Sequence, residues 1–448
     1  MTSPSTAFAL GGLGGNNAHS AGFLAAAQEL QRQRRQAGHP GQNGDGIGGI
    51  ADANTDAARR RARLRILPEL GFISCTSGTI ASVVTYLKGD DVRDATERGI
   101  AAVDAVNLLP RNAVADTWRP FGIMLFTGIP GVFGPWVQAF ARHLAERVTG
   151  FVNPKGPYYG TVPTTIDEFA DLWLPARAFV PERPQEFFDE AARVLADTDH
   201  THGVGVAFNS FDPKTGIEQL YVNPAGLAHI KNHYDENADY GRAHGHTIYQ
   251  PITPDAVRNA LWLFYYGFPA DKLGPDRYVD GAYARSIILN ELTAAERIYA
   301  VKPVNDRWLG RLPQNQFEVS DMQTEFWMEA SYREQYRLIE TINDLQAAGR
   351  LQDPVPAPQP DGRGKIPRSA GQATKTADRR IERVKAKKYA RLDLIPVEIA
   401  MQRGYFTYFV ENREVFQDAY GQSLRLLLEH DENDAHRPPD RAAVPVPA

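Results

Sequence analysis

Short apolar runs alternate with helix-type patterns through residues 1–310, and this alternation most constrains the fold. Leu70–Ser74 is typical of a buried strand, and after Gly78 apolar residues recur at the spacing of one helix face. That face consists of Ile80, Val83, Val84 and Leu87. Strands that alternate with helices along a chain are the pattern of α/β proteins, in which helices cover a sheet. The sequence therefore predicts an α/β fold.

Further elements follow from local patterns. Ala7–Leu10 reads as a strand and Ser20–Leu30 as a helix. Asp212–Gly216 has the composition of a turn and would join two strands. These are Val204–Phe211 and Ile217–Val222. Thr253 before Pro254 indicates a helix start, with a buried face of Val257, Ala260, Leu261 and Phe264. Arg297–Val301 is predicted as the last strand.

Charge and cysteine content exclude several classes of protein. The formal net charge is −5, whereas a nucleic-acid-binding protein is normally basic, so no nucleic-acid partner is expected. Cys75 is the single cysteine, which excludes a disulfide scaffold and a Cys-rich zinc or iron–sulfur site. The first basic residue is Arg32, so a secretory signal is not expected and a cytoplasmic location is the default.

The uncharged segment 121–141 is long enough to cross a bilayer. It contains glycines and prolines that would break a helix through its middle. We therefore interpret it as a buried strand, Gly122–Phe126, followed by a helix that starts near Pro135.

The glycine-rich run Leu10–Asn17 lies between a predicted strand and a predicted helix. Its amides could point together at one anion, with the positive end of the helix dipole behind them. A dinucleotide fingerprint would need glycine where Asn17 stands, and a P-loop would need Gly-Lys-Ser/Thr, which is absent. An oxyanion loop for acyl transfer fits the run, and so does a simple tight turn.

Two further features suggest a nucleophile and its base. Cys75–Thr79 falls at a strand-to-helix turn, where Ser77 could be an exposed nucleophile or an ordinary helix cap. Cys75 lies within the strand, which disfavours it as the nucleophile. Asp280, in the run Tyr278–Ala282, could be a base near Ser77 or a residue of a plain turn.

Together and in this order, the three features resemble the patatin-like phospholipase family. Gly11–Gly15 and the helix that follows look like its oxyanion loop, Ser77 falls on its nucleophile and Asp280 on its dyad aspartate. The hairpin of Ala207–Glu218 and the Arg285–Leu289 stretch also resemble parts of that family. The resemblance covers roughly residues 6–305. It implies a central mixed β-sheet flanked by helices.

The resemblance also implies a serine acyl hydrolase that cleaves fatty-acyl esters of phospholipids or acylglycerols without a cofactor. Asp280 would take the proton of Ser77, and an acyl-enzyme would form and be hydrolysed. The oxyanion would be held by backbone amides of Gly12, Leu13, Gly14, Gly15 and Gly78.

The chain departs from the family pattern at three places. Asn16 and Asn17 stand where the family often has an arginine. Cys75 and Thr79 stand where the family usually has glycines in the strand-to-helix turn that carries the nucleophile, called the nucleophile elbow. Residues 31–62 form a glycine-rich, arginine-flanked insertion between the loop and the elbow.

We predict a patatin-like catalytic domain with a helical C-terminal extension. A capping-box spacing, Ser320 with Gln323, marks the expected start of a long helix. The predicted division is 1–310 catalytic domain with the 31–62 loop insertion, 311–351 long helix, 352–377 linker or exposed loop, 378–432 helical C-terminal region and 433–448 disordered tail.

Two other functions stay open. Six of the 11 histidines lie between positions 200 and 246, which could indicate a metal-dependent hydrolase. The metal candidates are His229, His233, His244 and His246. The second alternative is a catalytically degenerate lipid-binding or scaffold protein.

Peripheral membrane contact is a further open expectation. The segment 121–141 and Leu172–Leu174 could form an acyl pocket or a lid, or could be core. The basic stretch Arg379–Arg391 could meet anionic head groups, or could be a solvated helix face. No oligomeric state is predicted.

Overall fold

The computed structural model describes residues 6–12, 17–37, 70–106, 144–165, 184–262, 278–293, 295–302, 307–308, 312–314, 316–348, 393–398 and 412–436. The strands in these residues are β1 (Thr6–Leu10), β2 (Leu70–Cys75), β3 (Gly205–Asp212), β4 (Ile217–Val222), β5 (Ala243–His244), β6 (Thr247–Pro251), β7 (Val279–Asp280), β8 (Arg297–Val301) and β9 (Asp393–Val397). The helices are α1 (Asn17–Ala37), α2 (Thr79–Lys88), α3 (Val92–Val106), α4 (Gln185–Ala196), α5 (Thr198–Thr201), α6 (Pro224–His233), α7 (Pro254–Ala260), α8 (Gln316–Ala347) and α9 (Asn412–His436). Short 3₁₀ helices lie at Gly281–Tyr283 and Asn290–Leu292.

All nine described strands belong to one mixed sheet. Its order is β5-β6-β4-β3-β2-β1-β8-β9, and β7 pairs with β3. The central strands β3, β2, β1, β8 and β9 are parallel to their neighbours in that order, whereas β4 and β7 run antiparallel to β3. A mixed sheet with helices on both faces confirms the predicted α/β class.

The two faces of the sheet bury two apolar cores. Alternate residues of a strand point to opposite faces, so Phe8 and Leu10 enter one core while Ala7 and Ala9 enter the other. The first core is covered by α1, α2, α4, α7 and α9, and the second by α6 and α8.

Several predicted elements are confirmed. β2 and α2 occur where expected, and the predicted apolar face of α2 is buried. The turn between β3 and β4 closes with the Gly216 N–H donating to the Asp212 carbonyl at 2.9 Å. The Thr253 hydroxyl caps α7 by accepting from the Ala256 N–H at 3.1 Å.

The prediction of a helical C-terminal region at 378–432 is wrong at residues 393–397. Residues 393–397 form β9, which pairs in parallel with β8, so Arg297–Val301 is not the last strand. Pro396 disfavours a helix there, and an edge strand tolerates proline because one side of its backbone needs no partner. α9 is helical as predicted and continues to His436, into the predicted tail.

Two predicted boundaries also shift. α8 begins at Gln316, so Ser320 and Gln323 lie inside the helix and do not cap it. α1 begins at Asn17 and continues to Ala37, into the predicted 31–62 insertion. The proposed division into a catalytic domain and an extension stays a prediction.

Other predicted features lie outside the described residues: the rest of the 31–62 insertion, the 121–141 segment, Phe264, Leu172–Leu174, the 352–377 linker, Arg379–Arg391 and the tail beyond His436. Among the described helices, none has the length and apolar character needed to cross a membrane.

The sheet brings the two key turns to one place. The pairing of β2 with β3 ends at Cys75 and Phe208. β7 then pairs with the continuation of β3, with Asp280 opposite Ser210. Ser77 and Asp280 therefore emerge beside the same stretch of β3, although they are far apart in sequence.

Candidate active site

Ser77 occupies the turn between β2 and α2 with an uncommon backbone conformation. Its φ is 59°, in the left-handed region that residues with a side chain rarely adopt. Such a conformation costs on the order of 1–3 kcal/mol and is held in place by its surroundings, often at functional sites. The Ser77 carbonyl accepts from the Ile80 N–H at 3.1 Å, which begins α2. The strand-to-helix turn expected of a nucleophile elbow is present at this position.

Two glycines let the glycine-rich loop approach this turn. A Cβ on Gly12 would lie 1.7 Å from the Thr76 carbonyl oxygen, so that contact is possible only without a side chain. A Cβ on Gly78 would lie 2.1 Å from Asn17 Nδ2. The start of the loop and the start of α1 therefore both pack directly against the turn that carries Ser77.

The departures Asn17 and Thr79 are in contact with each other. Thr79 Oγ1 lies 3.2 Å from Asn17 Oδ1 and 3.3 Å from the Gly11 carbonyl oxygen. Its single proton can be shared between these acceptors. The Ser20 hydroxyl donates to the same Gly11 carbonyl at 2.8 Å. The hydroxyl at position 79 thus links the loop to the elbow, which a glycine there could not do.

Asp280 is fully buried at the end of β7. Its N–H donates to the Trp262 carbonyl at 2.7 Å, and its Oδ1 accepts from the Ala282 N–H at 2.9 Å. One carboxylate oxygen is therefore committed to the turn that follows. The other, Oδ2, is buried and has no hydrogen-bond partner of standard geometry among the described residues.

Burial raises the pKa of Asp280 to about 7, while the nearby Ser77 hydroxyl and the hydrogen bond from the Ala282 N–H act to lower it. The Ser77 hydroxyl is thus near enough to influence the pKa of the carboxyl group, although it makes no hydrogen bond of standard geometry with Oδ2. Catalytic hydrogen bonds are often long or poorly aligned before substrate binds. This arrangement places a hydroxyl beside a carboxylate whose pKa is near neutral pH.

The remaining sequence-predicted site residues fall into two groups. Gly12 and Gly78 border the turn, whereas Leu13, Gly14 and Gly15 lie outside the described residues. Cys75 is buried in the first core, and that burial raises the pKa of its thiol. A raised pKa disfavours the thiolate, so Cys75 has the properties of a core residue and not of a nucleophile.

The histidines do not form a metal centre in the part of the chain that the structure describes. No group of three or more His, Cys, Asp or Glu side chains there could hold a metal ion. The His229 ring lies 5.9 Å from the Phe72 ring, and His244 Nδ1 lies 3.1 Å from Asp235 Oδ2. His246 is exposed, and the His233 side chain is not among those described. The metal-hydrolase alternative therefore lacks support in these residues.

Sequence reasoning missed a group of buried polar residues beside Asp280. Arg285 bonds to Glu218 and Glu291, and Asn209 bonds to Glu218. The available signal was Glu218, a charged residue near the start of an otherwise largely apolar strand. Its partner Arg285 lies too far along the chain for any local pattern to join the two.

The fold and the site together define an α/β protein with a serine in a left-handed strand-to-helix turn beside a buried aspartate. No protein-family model matches the chain, and no curated protein matches it in sequence. Among solved structures, the chain is similar to VipD from Legionella pneumophila, at 11% identity and a TM-score of 0.28. That match covers 96% of this chain and 67% of VipD, and a similarity this low supports no conclusion about function.

Proposed function

We propose that this chain is a serine acyl hydrolase with a Ser77–Asp280 dyad. The observation that carries the proposal is the pairing of Ser77, held at a φ of 59°, with the buried Asp280 carboxyl group. A strand-to-helix turn is where a nucleophilic serine typically stands, and a base is needed beside it to take its proton. Ser77 is only 4% exposed, so the exposed hydroxyl expected from the sequence is not found, and substrate would have to reach it through movement of the surrounding segments. The resemblance of the sequence motifs to patatin-like phospholipases supports the same assignment.

In the proposed reaction, Asp280 Oδ2 accepts the proton of the Ser77 hydroxyl while Ser77 Oγ attacks the carbonyl carbon of the ester. The tetrahedral intermediate collapses, and the alcohol leaves with the proton that Asp280 returns. Water then attacks the acyl-enzyme, gives a proton to Asp280 and releases the carboxylic acid, and Ser77 recovers its proton. No histidine takes part in these steps.

The developing oxyanion would be held by amides at the edge of the turn. Of the proposed amide donors, Gly12 and Gly78 lie in the described residues, whereas Leu13, Gly14 and Gly15 lie outside them. Removal of one oxyanion donor typically costs ~10²–10³ in rate. The close approach of Gly12 to the Thr76 carbonyl supports a loop that lies within reach of the reacting atoms.

The pKa of Asp280, raised by burial to about 7, suits a general base that works near neutral pH. A carboxylate with an ordinary pKa would be a weaker base for a hydroxyl proton. Burial of this residue therefore serves the proposed chemistry, even though it disfavours the charged form.

The proposed substrate is a fatty-acyl ester of a phospholipid or an acylglycerol, with access from a membrane surface by peripheral contact. This part of the proposal depends on the family resemblance, which implies lipid substrates. A degenerate lipid-binding or scaffold protein would share the geometry and differ only in turnover.

The proposal is tested with Ser77→Ala and Asp280→Asn, assayed with short- and long-chain acyl esters. Both variants should lose hydrolysis at least about a hundredfold, because each removes an atom that reacts. Cys75→Ala is the matched control, since it changes a neighbouring buried residue and should keep the activity. Near-full activity in either dyad variant, with a native circular dichroism spectrum, would refute the dyad.

A further inference from the structure

A buried ion group lies behind the Asp280 turn. Arg285 Nε donates to Glu218 Oε1 at 3.0 Å, and its two terminal nitrogens donate to both oxygens of Glu291 at 2.9 and 3.0 Å. The exposed fractions of these side chains are only 13%, 8% and 3%. Nearby, the Thr247 hydroxyl donates to Glu218 Oε2 at 2.9 Å.

Buried ion groups of this kind contribute little net stability. Removing charges from water costs several kcal/mol per ion, and replacement by well-packed apolar residues is often neutral or stabilising by roughly 1–4 kcal/mol. What an ion group provides is direction, because a bidentate guanidinium–carboxylate pair fixes the relative orientation of the two groups. A role in placing a neighbouring segment therefore accounts for these charges better than stability does.

Asn209 joins the ion group to the segment that follows Asp280. Its Nδ2 lies 2.7 Å from Glu218 Oε1, 3.3 Å from the Gly281 carbonyl oxygen and 3.2 Å from the Arg285 carbonyl oxygen. A Cβ on Gly281 would lie 2.0 Å from Asn209 Oδ1, so the amide is pressed against the turn backbone. Asn209 thus contacts both the first and the last residue of the turn Gly281–Arg285.

The Gly281–Arg285 turn fixes the rotation of the Asp280 carboxyl group. The Gly281 carbonyl accepts from the Arg285 N–H at 2.8 Å, which closes the turn. Within it, the Ala282 N–H donates to Asp280 Oδ1 at 2.9 Å, while Oδ2 is the carboxyl oxygen without a hydrogen-bond partner of standard geometry among the described residues. A displaced turn would rotate the carboxyl group away from the hydroxyl.

We propose that Asn209, Glu218, Arg285 and Glu291 are positioning residues that hold the Gly281–Arg285 turn so that Asp280 Oδ2 faces Ser77. This inference rests on the proposed hydrolase function. None of the four side chains takes part in the chemical steps. They act through the turn, and their loss should lower kcat while substrate binding stays nearly intact.

Asn209→Ala is the first test, with Asn223→Ala as the matched control. Asn223 is also a buried asparagine: its Oδ1 accepts from the Val206 and Gly226 N–H groups at 2.9 and 2.8 Å, but it sits near the opposite end of β3. Rates are taken per folded molecule, with the folded fraction measured by urea unfolding. Asn209→Ala should lower kcat about ten- to a hundredfold, the effect of a displacement near 1 Å, with KM within about twofold. Asn223→Ala should change neither.

Glu218→Gln and Glu218→Leu separate geometry from charge. Glutamine keeps an oxygen that can accept from Asn209 and Arg285, whereas leucine keeps only the volume. Recovery of most of kcat in Glu218→Gln, with a large loss in Glu218→Leu, supports positioning. Equal losses of kcat in Glu218→Gln and Glu218→Leu would overturn the proposal. So would an Asn209→Ala rate per folded molecule that equals the wild-type rate.

A carbon-13 titration of the Asp280 carboxyl group provides a readout that does not need turnover. Asn209→Ala should change the apparent pKa of Asp280 relative to the wild type, and Asn223→Ala should not. If the wild type shows no reaction that depends on Ser77, the proposed hydrolase function fails. The titration does not depend on that reaction, so it still tests whether Asn209 places Asp280. An unchanged titration in Asn209→Ala would then overturn the positioning.

Discussion

The Ser77 turn packs backbone against backbone, whereas the turn that follows Asp280 is contacted by the Asn209 side chain and is backed by charged side chains. On the serine side, the Gly12 position touches the Thr76 carbonyl, and neutral hydroxyl and amide groups complete the contact. On the aspartate side, a guanidinium and two carboxylates lie behind the turn. The Ser77 turn therefore depends on the absence of side chains, whereas the Asp280 turn depends on their presence.

This difference has a chemical reason. In the proposed hydrolase, the serine side would leave amide groups open for an oxyanion, and glycines provide close approach with accessible N–H groups. The aspartate side must set one rotation of a carboxyl group within a buried turn. Directional ionic hydrogen bonds do that more strictly than apolar packing does. The two halves should then respond to substitution in distinct ways.

Gly12→Ala should give the largest effect on the serine side. The added Cβ would meet the Thr76 carbonyl at 1.7 Å, so the loop must move and its amides are displaced. Reaction with a serine-directed fluorophosphonate should slow by ~10²-fold or more. Gly78→Ala should be milder, because its Cβ meets the end of the Asn17 side chain, which can move.

Gly99→Ala is the control for this pair, because nothing lies within 4 Å of the added atom in α3. It should leave the labelling rate unchanged and stabilise the helix by about 1 kcal/mol. Equal labelling rates in Gly12→Ala and Gly99→Ala would show that the loop does not contribute to the site.

The pKa of Asp280, raised by burial to about 7, predicts a pH profile and a stability difference. The base must be ionised, so the labelling rate should fall tenfold per pH unit below that pKa. Because the pKa of Asp280 in the folded state exceeds its ordinary value of 3.8, the folded state holds the proton more tightly, and its stability falls as pH rises between these values. Asp280→Asn should therefore be more stable than the wild type above neutral pH, by roughly 2–4 kcal/mol.

Urea unfolding in acidic and in mildly alkaline buffer measures this difference. The advantage of Asp280→Asn should shrink as the wild-type carboxyl group becomes protonated. Loss of the Ser77 hydroxyl removes an interaction that lowers the pKa, so Ser77→Ala should raise the pKa of Asp280 further. A wild-type profile that is flat through neutral pH would contradict the assignment of Asp280 as the base.

Thr79→Val should give the smallest of these effects. It removes the hydroxyl that lies 3.2 Å from Asn17 Oδ1 and 3.3 Å from the Gly11 carbonyl oxygen, and nearly keeps the volume. The lost hydrogen bond is worth about 0.5–1.5 kcal/mol, so the labelling rate should fall up to about tenfold. Thr79→Ser keeps the hydroxyl and should stay within about twofold of the wild type. Identical rates for the valine and serine variants would show that Thr79 only fills space.

Much of the central fold could be predicted from the sequence because its signals are local. Strand β2, the apolar face of α2 and the Thr253 cap each follow from neighbouring residues. Strand β9 was missed because a short edge strand gains its stability from pairing with β8, which no local pattern contains. Pro396, with the β-branched Ile395 and Val397 beside it, was the local sign against a helix there.

The candidate site likewise contains some features that local sequence patterns predict and others that arise only from long-range contacts. Ser77 and Asp280 could be selected because their flanking motifs resemble a known family. The ion group could not, because Glu218, Arg285 and Glu291 have separate places in the sequence and meet only in the folded chain. The contact between Asn17 and Thr79 was also hidden, since each residue alone reads as a departure from the family pattern.

The most direct test of the central claim is fluorophosphonate labelling of the wild type, followed by peptide mapping by mass spectrometry. The Ser77–Asp280 dyad predicts one adduct, on Ser77, that is lost in Ser77→Ala and strongly slowed in Asp280→Asn. Cys75→Ala should label like the wild type. An adduct on another residue, or labelling that persists in Ser77→Ala, would contradict the dyad.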